Sequence, residues 1–202
     1  MMHPHTELRF ISDGIGHGVV ATRDIPEGTI TWVQDQLDRE FTPEHVEMLG
    51  EPFAGPLDTY CFRNQHGRWV LCWDHARFVN HSFRSNCMTT AYNFEIAIRD
   101  IAAGEELTDD YGYLNVMRPF RAMDEGLDRT VVYPDDLTRY HETWDAKLIA
   151  SWPNLTKVEQ PLRPLISGEI WNRVRRIARG NERMASILEC YYEDADAAVL
   201  EA

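Results

Sequence analysis

A short turn pattern occurs twice in this chain, and it limits the fold more than any other feature of the sequence. Arg-Asp-Ile, two further residues and Gly stand at 23–28 and again at 99–104. Pro26 and Gly28 in the first copy are typical of a tight turn that precedes a strand. Because the match does not extend further, two similar corners of an all-β fold explain it more simply than an internal duplication.

The rest of the first half also consists of short strands separated by turn residues. Alternating or β-branched runs predict strands at 8–11, 19–22, 29–33 and in both halves of 59–72. The polar residues 64–67 join the last two strands as a hairpin. One short helix is predicted in "FTPEHVEML", with Thr42 as its N-cap and Pro43 in its first turn.

Helical periodicity replaces strand alternation from about residue 115 onward. Four residues follow the spacing of one helix face: Leu137, Tyr140, Trp144 and Leu148. After a proline-punctuated connector, a second helix carries an apolar stripe: Ile170, Trp171, Val174, Ile177 and Ala178. A weak point at Gly180-Asn181 separates it from a third predicted helix. We therefore predict a β domain at 1–115 and a helical extension at 116–202, which covers the β domain or a partner subunit. The stripe would serve a dimer equally well, so the oligomeric state stays open.

The composition is typical of a globular protein with a substantial core. The chain has 202 residues, 44% of them hydrophobic, which predicts one domain or one domain with an appended segment. It has no run of roughly 18 apolar residues and no signal-like start, so we expect a cytoplasmic protein without membrane contact. Its four cysteines are widely spaced without a CxxC pair, which predicts free thiols and no thiolate zinc site.

The net charge of −13, from 33 acidic and 20 basic residues, restricts the kind of partner. Binding of nucleic acid depends on Lys and Arg side chains that meet phosphates, so direct binding of nucleic acid is not expected. The charge suits a basic partner such as a lysine-rich peptide, although solubility explains it equally well.

Asn80, His81 and Ser82 stand in a row after an apolar run, and such polar residues call for a chemical explanation. Neighbouring side chains of an extended segment point in opposite directions and no G-x-S-x-G elbow is present, so a His-Ser hydrolase is not favoured. The histidines lack H-E-x-x-H spacing, which argues against a metal site. A loop that binds a small molecule is the remaining interpretation, and "GIGHGVV" at 14–20 offers close backbone approach to a ligand.

Three segments together resemble the SET-domain family of protein lysine methyltransferases, of the small stand-alone type. They are, in order, "GIGHGVVATRDIPEGTI", "ARFVNHSFRSNC" and "IAIRDIAAGEELTDDYGYL". The resemblance implies a mainly β fold, with the SET domain at 1–115 as a β-clip of small sheets. It also implies that the segments of Asn80 and Tyr111 meet in a knot-like crossing, a rare threaded arrangement.

The resemblance also implies an activity and a set of site residues. The activity is methyl transfer from S-adenosyl-L-methionine to a lysine of a protein or peptide substrate. The residues that match the family's cofactor-binding positions are Gly16, His17, Gly18, Asn80, His81 and Tyr111. Tyr111 also matches the tyrosine at the inner end of the lysine channel, and Tyr60 resembles a tyrosine of the channel wall. A SET-like binding module without catalysis, and methylation of another residue type, stay open as alternatives.

The sequence departs from the family at two positions that concern function. Phe83 stands where many members carry a zinc-binding cysteine, and the segment 115–132 contains no cysteine, so we predict that no zinc is bound. The channel lid would then come from Phe120 or from the C-terminal helices. Asp109 stands where the family often carries a Tyr or Phe that influences how many methyl groups are added. If Asp109 faces the channel, its negative charge would hold the lysine protonated, whereas a solvent-facing Asp109 would have no such effect. The sequence does not decide between these orientations, so the number of methyl groups added stays open.

Overall fold

The computed structural model describes residues 1–193, in which short strands form four small sheets. The strands are β1 (Thr6–Ser12), β2 (Gly16–Ala21), β3 (Ile30–Val33), β4 (Arg39–Phe41), β5 (Cys61–Arg63), β6 (Trp69–Leu71), β7 (Asn80–His81), β8 (Cys87–Thr89), β9 (Phe94–Ala97), β10 (Glu106–Asp109), β11 (Phe120–Arg121) and β12 (Val131–Val132). The α-helices are α1 (Pro43–Leu49), α2 (Ala54–Tyr60), α3 (Asp136–Ser151) and α4 (Gly168–Ala178). Small sheets with helices in the C-terminal part are the predicted fold class.

The largest sheet brings distant parts of the chain side by side. Its strand order is β1–β2–β10–β7. β2 pairs antiparallel with both β1 and β10, whereas β7 pairs with β10 in parallel. The remaining sheets, with the orders β3–β9–β8, β4–β6–β5 and β11–β12, are antiparallel, and the second contains the hairpin predicted around 64–67.

The two copies of the repeated turn face each other in the fold. Ile25 and Ile101 exchange backbone hydrogen bonds of 2.8 and 2.9 Å, and both side chains are fully buried. Gly28 and Gly104 take the same positive φ, near 84° and 87°, and each N–H donates to a carbonyl beside the other copy. The repeat therefore marks two matching corners, as predicted, and their pairing ties the first sheet to the β3–β9–β8 sheet.

The helices of the C-terminal part complete the core of the β-rich part. Leu137, Trp144 and Leu148 of α3 are buried in one cluster with Phe94 and Ile96 of β9, while Tyr140 lies at its edge. The stripe on α4 packs against the same cluster, so in this chain it makes an internal contact. None of the helices within residues 1–193 is long and apolar enough to cross a membrane.

The prediction of a third C-terminal helix is wrong for the residues that the structure describes. Residues 181–186 are irregular, and only a short 3-10 helix, Ile187–Cys190, follows. Side chains take the backbone donors that a helix would use: Ala185 N–H donates to the Tyr92 hydroxyl (2.9 Å) and Ile187 N–H to Asp145 Oδ1 (2.8 Å). These bonds compete with the helix. The rest of that prediction, residues 194–202, lies outside the described residues.

Candidate active site

The parallel pairing of β7 with β10 places the Asn80 segment directly beside the Tyr111 segment. Asn80 lies opposite Thr108, and His81 lies opposite Asp109. Beyond the strands, Tyr111 N–H donates to His81 Nδ1 (3.1 Å) and the Tyr111 hydroxyl donates to the Val79 carbonyl (2.6 Å). The two segments are thus bound to each other through both backbone and side chains, and Tyr111 is held in one position.

Asn80 connects this crossing to the glycine segment of β2. Its amide nitrogen donates to the His17 carbonyl (3.0 Å) and to Glu106 Oε1 (2.7 Å). Gly18 is buried at this point, and a Cβ built on it would lie 2.2 Å from Glu106 Oε1, closer than atoms can pack. The structure therefore gathers five of the predicted cofactor residues, Gly16 to Gly18 with Asn80 and His81, around one edge of the sheet.

His81 is held as a neutral ring. Burial lowers the pKa of His81 to about 4, although the Glu125 carboxylate acts in the opposite direction. Because Nδ1 accepts from Tyr111 N–H, the ring proton belongs on Nε2, which is buried without a hydrogen-bond partner in the described residues. The ring packs against the aromatic rings of Phe83, Tyr111 and Phe120.

Ser82, the third residue of the polar row, has a local structural role. Its hydroxyl accepts a hydrogen bond from Arg84 N–H (3.0 Å), and its own N–H donates to the Asp109 carbonyl (2.9 Å). These bonds shape the turn after β7. They give Ser82 a structural explanation that does not require a His-Ser hydrolase.

A cavity of about 370 Å³ opens on the other side of Tyr111. Its aromatic lining comprises Trp32, Tyr60, Phe62, Trp69, Tyr111 and Phe120. Tyr60, the last residue of α2, is 39% exposed and lies in the cavity wall with its ring 5.4 Å from that of Phe78. The two tyrosines predicted for the lysine channel thus line one cavity.

The wall over the cavity comes from α2 and from residues 114–120. Asp58 of α2 and Arg118 form an exposed ion pair across this wall (2.5 Å), and Phe120 packs against the Tyr111 ring at 6.0 Å. Of the two predicted sources for a lid, Phe120 therefore lies at the cavity, whereas the lining residues include none from α3 or α4.

Asp109 faces the cavity and is only 3% exposed. Its Oδ1 accepts a hydrogen bond from the Tyr113 hydroxyl (2.7 Å), and its carboxyl contacts that of Glu95, which also lines the cavity. Burial raises the pKa of Asp109 to about 6, and burial together with the Asp109 charge raises the pKa of Glu95 well above its usual range. Sequence reasoning missed Glu95, since one charged residue within the strand "FEIA" is typical of a solvent-facing position.

Phe83, whose sequence position is the one where the resemblance implies a zinc-binding cysteine, packs against its neighbours as an aromatic side chain. Its ring lies 4.4 Å from the His81 ring, and the Arg129 guanidinium lies over it at 4.5 Å. Arg129 also forms ion pairs with Asp110 and, at 2.5 Å, with Asp136 of α3. A cation, an aromatic ring and two carboxylates thus bind the end of β7 to the C-terminal part.

The residues that the structure describes offer no cluster of three or more His, Cys, Asp or Glu for a metal ion. All four cysteines are free, and burial raises the pKa of each thiol. The absence of zinc stays a prediction from the sequence.

Comparisons with known proteins match the part of the chain that contains this site. The SET domain family model matches residues 16–112. N-lysine methyltransferase KMT5A-B of Xenopus laevis is 30% identical over 115 residues, which cover 49% of this chain and 34% of that protein. N-lysine methyltransferase KMT5A of Xenopus tropicalis is 32% identical over 117 residues, with the same shares. The chain spans about a third of the length of these curated relatives. The matched region contains the glycine segment, β7, β10 and Tyr111.

Proposed function

This chain carries a SET domain of the kind found in lysine methyltransferases, and from that premise we propose that it is an S-adenosylmethionine-dependent protein-lysine N-methyltransferase. The acceptor would be the side-chain amine of a lysine in a protein or peptide. The predicted residues divide into a cofactor group at the edge of the first sheet and a channel group in the cavity.

The observation that carries the proposal is that both groups meet at Tyr111. On one side its backbone contacts His81, next to Asn80 and the glycine segment; on the other side its ring lines the cavity. Transfer between two substrates requires that they be held in contact with correct orientation. A single tyrosine shared by two binding regions supports that arrangement.

The cofactor group fits a ligand that carries both a positive charge and an amino group. The Glu106 carboxylate, which attracts a cation, lies directly against the backbone of Gly18, and His81 Nε2 is a buried donor that lacks a partner within residues 1–193. When bound, S-adenosylmethionine supplies a methyl group on a positively charged sulfur. Gly16 to Gly18, Asn80 and His81 would hold it.

Tyr111 is suited to orient the acceptor amine. Its hydroxyl hydrogen is engaged by the Val79 carbonyl, which leaves oxygen lone pairs to accept a hydrogen bond. Burial raises the pKa of the Tyr111 phenol, and the charges of Asp109 and Glu106 raise it further. The phenol therefore stays protonated and acts by position and not as a base.

The cavity and the overall charge favour a basic substrate. An aromatic wall accommodates the four-carbon stem of lysine, and the carboxyls of Glu95 and Asp109 lie where a cationic end group would reach. The net charge of −13 adds a long-range attraction for basic proteins.

The proposal is tested by incubating the chain with S-adenosylmethionine carrying a labelled methyl group and a panel of basic proteins, then mapping labelled peptides by mass spectrometry. We expect label on lysine side chains, and the same spectra report the number of methyl groups. Label on another residue type would establish a methyltransferase with a different acceptor.

A second candidate is a SET-like binding module without catalysis, and the charge of Asp109 in the cavity is the observation that favours it. Calorimetric titration with S-adenosylmethionine, combined with the labelling experiment, separates the binding module from the enzyme. Background labelling with measurable binding of S-adenosylmethionine would support the binding module. Background labelling without binding of S-adenosylmethionine would contradict both.

A further inference from the structure

Two carboxyl groups that the reaction described so far does not use lie in the wall of the cavity. Glu95 of β9 and Asp109 of β10 contact each other through their side chains, and both line the cavity together with Tyr111. Trp32, 4% exposed, lines the same cavity, and its indole Nε1 has no hydrogen-bond partner among the described residues. The two carboxyls are thus polar groups in a wall rich in aromatic side chains, where a ligand in the cavity can meet them.

The surroundings of Glu95 and Asp109, called the acid pair below, do not neutralise it. The Tyr113 hydroxyl donates to Asp109, and the Cys87 thiol, Tyr111 and Asp110 are the other titratable groups close by, none of them cationic. The chain's terminal amine acts on Glu95 only weakly, as the last of its influences.

The arginines of the cavity wall are engaged elsewhere. Arg77 donates to the Cys72 and Trp73 carbonyls, Arg118 pairs with Asp58, and Arg63 stacks on Trp69. Two carboxyls in contact without a neutralising cation cannot both ionise easily. Burial and mutual contact raise the pKa of both carboxyls, and that of Glu95 lies well above its usual range, so at neutral pH the acid pair holds one proton and one negative charge.

We propose that the acid pair accepts the proton of the substrate lysine before methyl transfer, an inference that rests on the proposed function. In this step an N–H bond of the ammonium breaks, its electrons stay on nitrogen as a lone pair, and the proton forms an O–H bond on Asp109. Glu95 keeps its own proton throughout and donates it as a hydrogen bond to Asp109. The nitrogen lone pair is then free to form the C–N bond, and the proton leaves through the cavity mouth before the next turnover.

The other titratable groups near Tyr111 are less suited to this role. Tyr111 stays protonated, and the Nδ1 of His81 is occupied by Tyr111 N–H. A lysine ammonium in water has a pKa of about 10.4 and an aspartate about 3.9, a gap that opposes proton transfer. In the desolvated cavity the carboxyl pKa rises and the amine pKa falls, so the gap narrows.

The test compares the pH dependence of methyl transfer in the full chain and in Asp109→Asn, Glu95→Gln and, as control, Asp135→Asn, an exposed carboxylate outside the cavity lining. Below pH about 6, where Asp109 binds a proton, the wild-type rate should fall with acid. Asp109→Asn should lower the rate about 10²-fold or more and lose this dependence, as expected on removal of a general base. Glu95→Gln should retain most of the rate, because an amide donates as the protonated acid does. The Asp135→Asn profile should match the wild type.

Two measurements that do not depend on enzyme activity accompany the comparison of pH–rate profiles. Carbon-13 NMR of the wild-type carboxyls should show Asp109 titrating near pH 6 while Glu95 stays protonated at neutral pH. A carboxyl whose pKa is raised on folding lowers stability as the pH rises from its unfolded pKa of about 3.9 to its folded pKa, here about 6, and the full cost persists above that pH. Asp109→Asn should therefore unfold at a higher temperature than the wild type at pH 7.5, and the difference should vanish near pH 4. A slow Asp109→Asn enzyme that melts higher cannot owe its slowness to unfolding.

The inference is overturned if Asp109→Asn methylates lysine at the wild-type rate with an unchanged profile, or if both carboxyls titrate at ordinary values. Either result leaves the proposed function intact. Absence of lysine methylation by the wild type itself would instead contradict the proposed function, on which the inference rests.

Discussion

Single residues decide how closely the parts of this site can approach, and Gly18 is the clearest case. It lies in β2 where the Asn80 amide and the Glu106 carboxylate come together, with no space for a side chain. Gly14, four residues earlier, is exposed, and a Cβ there would meet nothing within 4 Å. The two glycines, one in the turn before β2 and one within β2, therefore differ in how closely other groups approach them.

We predict that Gly18→Ala weakens binding of S-adenosylmethionine, because the added methyl group must push Glu106 away from Asn80. Displacing this hydrogen-bonded pair should cost about 1–3 kcal/mol of binding free energy. Calorimetric titration of the folded variant measures it, with Gly14→Ala as the matched control. Equal affinities of Gly18→Ala and the control would show that this crossing is not part of the cofactor site.

Which residues lie together at this site could be predicted from the sequence where they belong to continuous motifs. The glycine segment, Asn80 and Tyr111 each stand within a short run whose spacing carries the signal. The partnership of Glu95 with Asp109 could not be predicted, because it depends on how two different sheets pack against each other. For the same reason the sequence alone does not determine whether Asp109 faces the cavity or the solvent.

At the scale of elements, one charged side chain connects the site to the C-terminal part. Arg129 pairs with Asp110, which caps the turn at Tyr111, and with Asp136 at the start of α3. Both carboxylates are almost fully buried. The position of Tyr111 thus depends on an element far along the chain.

Arg129→Met should therefore be strongly destabilising, since it leaves two buried carboxylates without their cation. Loss of one partner from a buried ion pair costs about 3–5 kcal/mol. Urea unfolding at pH 7 measures the change in the free energy of unfolding. Arg139→Met, which breaks an exposed pair with Asp135, is the control and should cost about 0.5 kcal/mol or less. Similar values for both variants would refute the connecting role of Arg129.

Elements with strong local signals were predictable, and those set by tertiary contacts were not. The Thr42 side chain caps α1 as expected, and α3 follows its apolar period. The short helix α2, which bears Tyr60 and part of the cavity wall, has Gly55 and Pro56 in its first turn and gave no helical signal. The expected third C-terminal helix does not form in the described residues, because the side chains of Tyr92 and Asp145 accept hydrogen bonds from its backbone N–H groups.

At the scale of the whole molecule, the β-rich part and the C-terminal part share one hydrophobic cluster. Phe94 and Ile96 of β9 pack with Trp144 and Trp152, so burial of apolar surface couples the two segments. The extension thus supports the sheets from behind, while the cavity opens on another face. This division leaves the cavity lining without any residue of α3 or α4.

The most direct test of the central claim is the rate of methyl transfer to a mapped lysine by the wild type, Tyr111→Phe and Tyr133→Phe. Tyr133 is a half-exposed tyrosine outside the cavity lining, so its variant should match the wild type. Tyr111→Phe removes the hydroxyl where the two binding regions meet and should lower the rate about 10²-fold with cofactor binding retained. A Tyr111→Phe variant that transfers methyl groups to lysine at the wild-type rate would contradict the account.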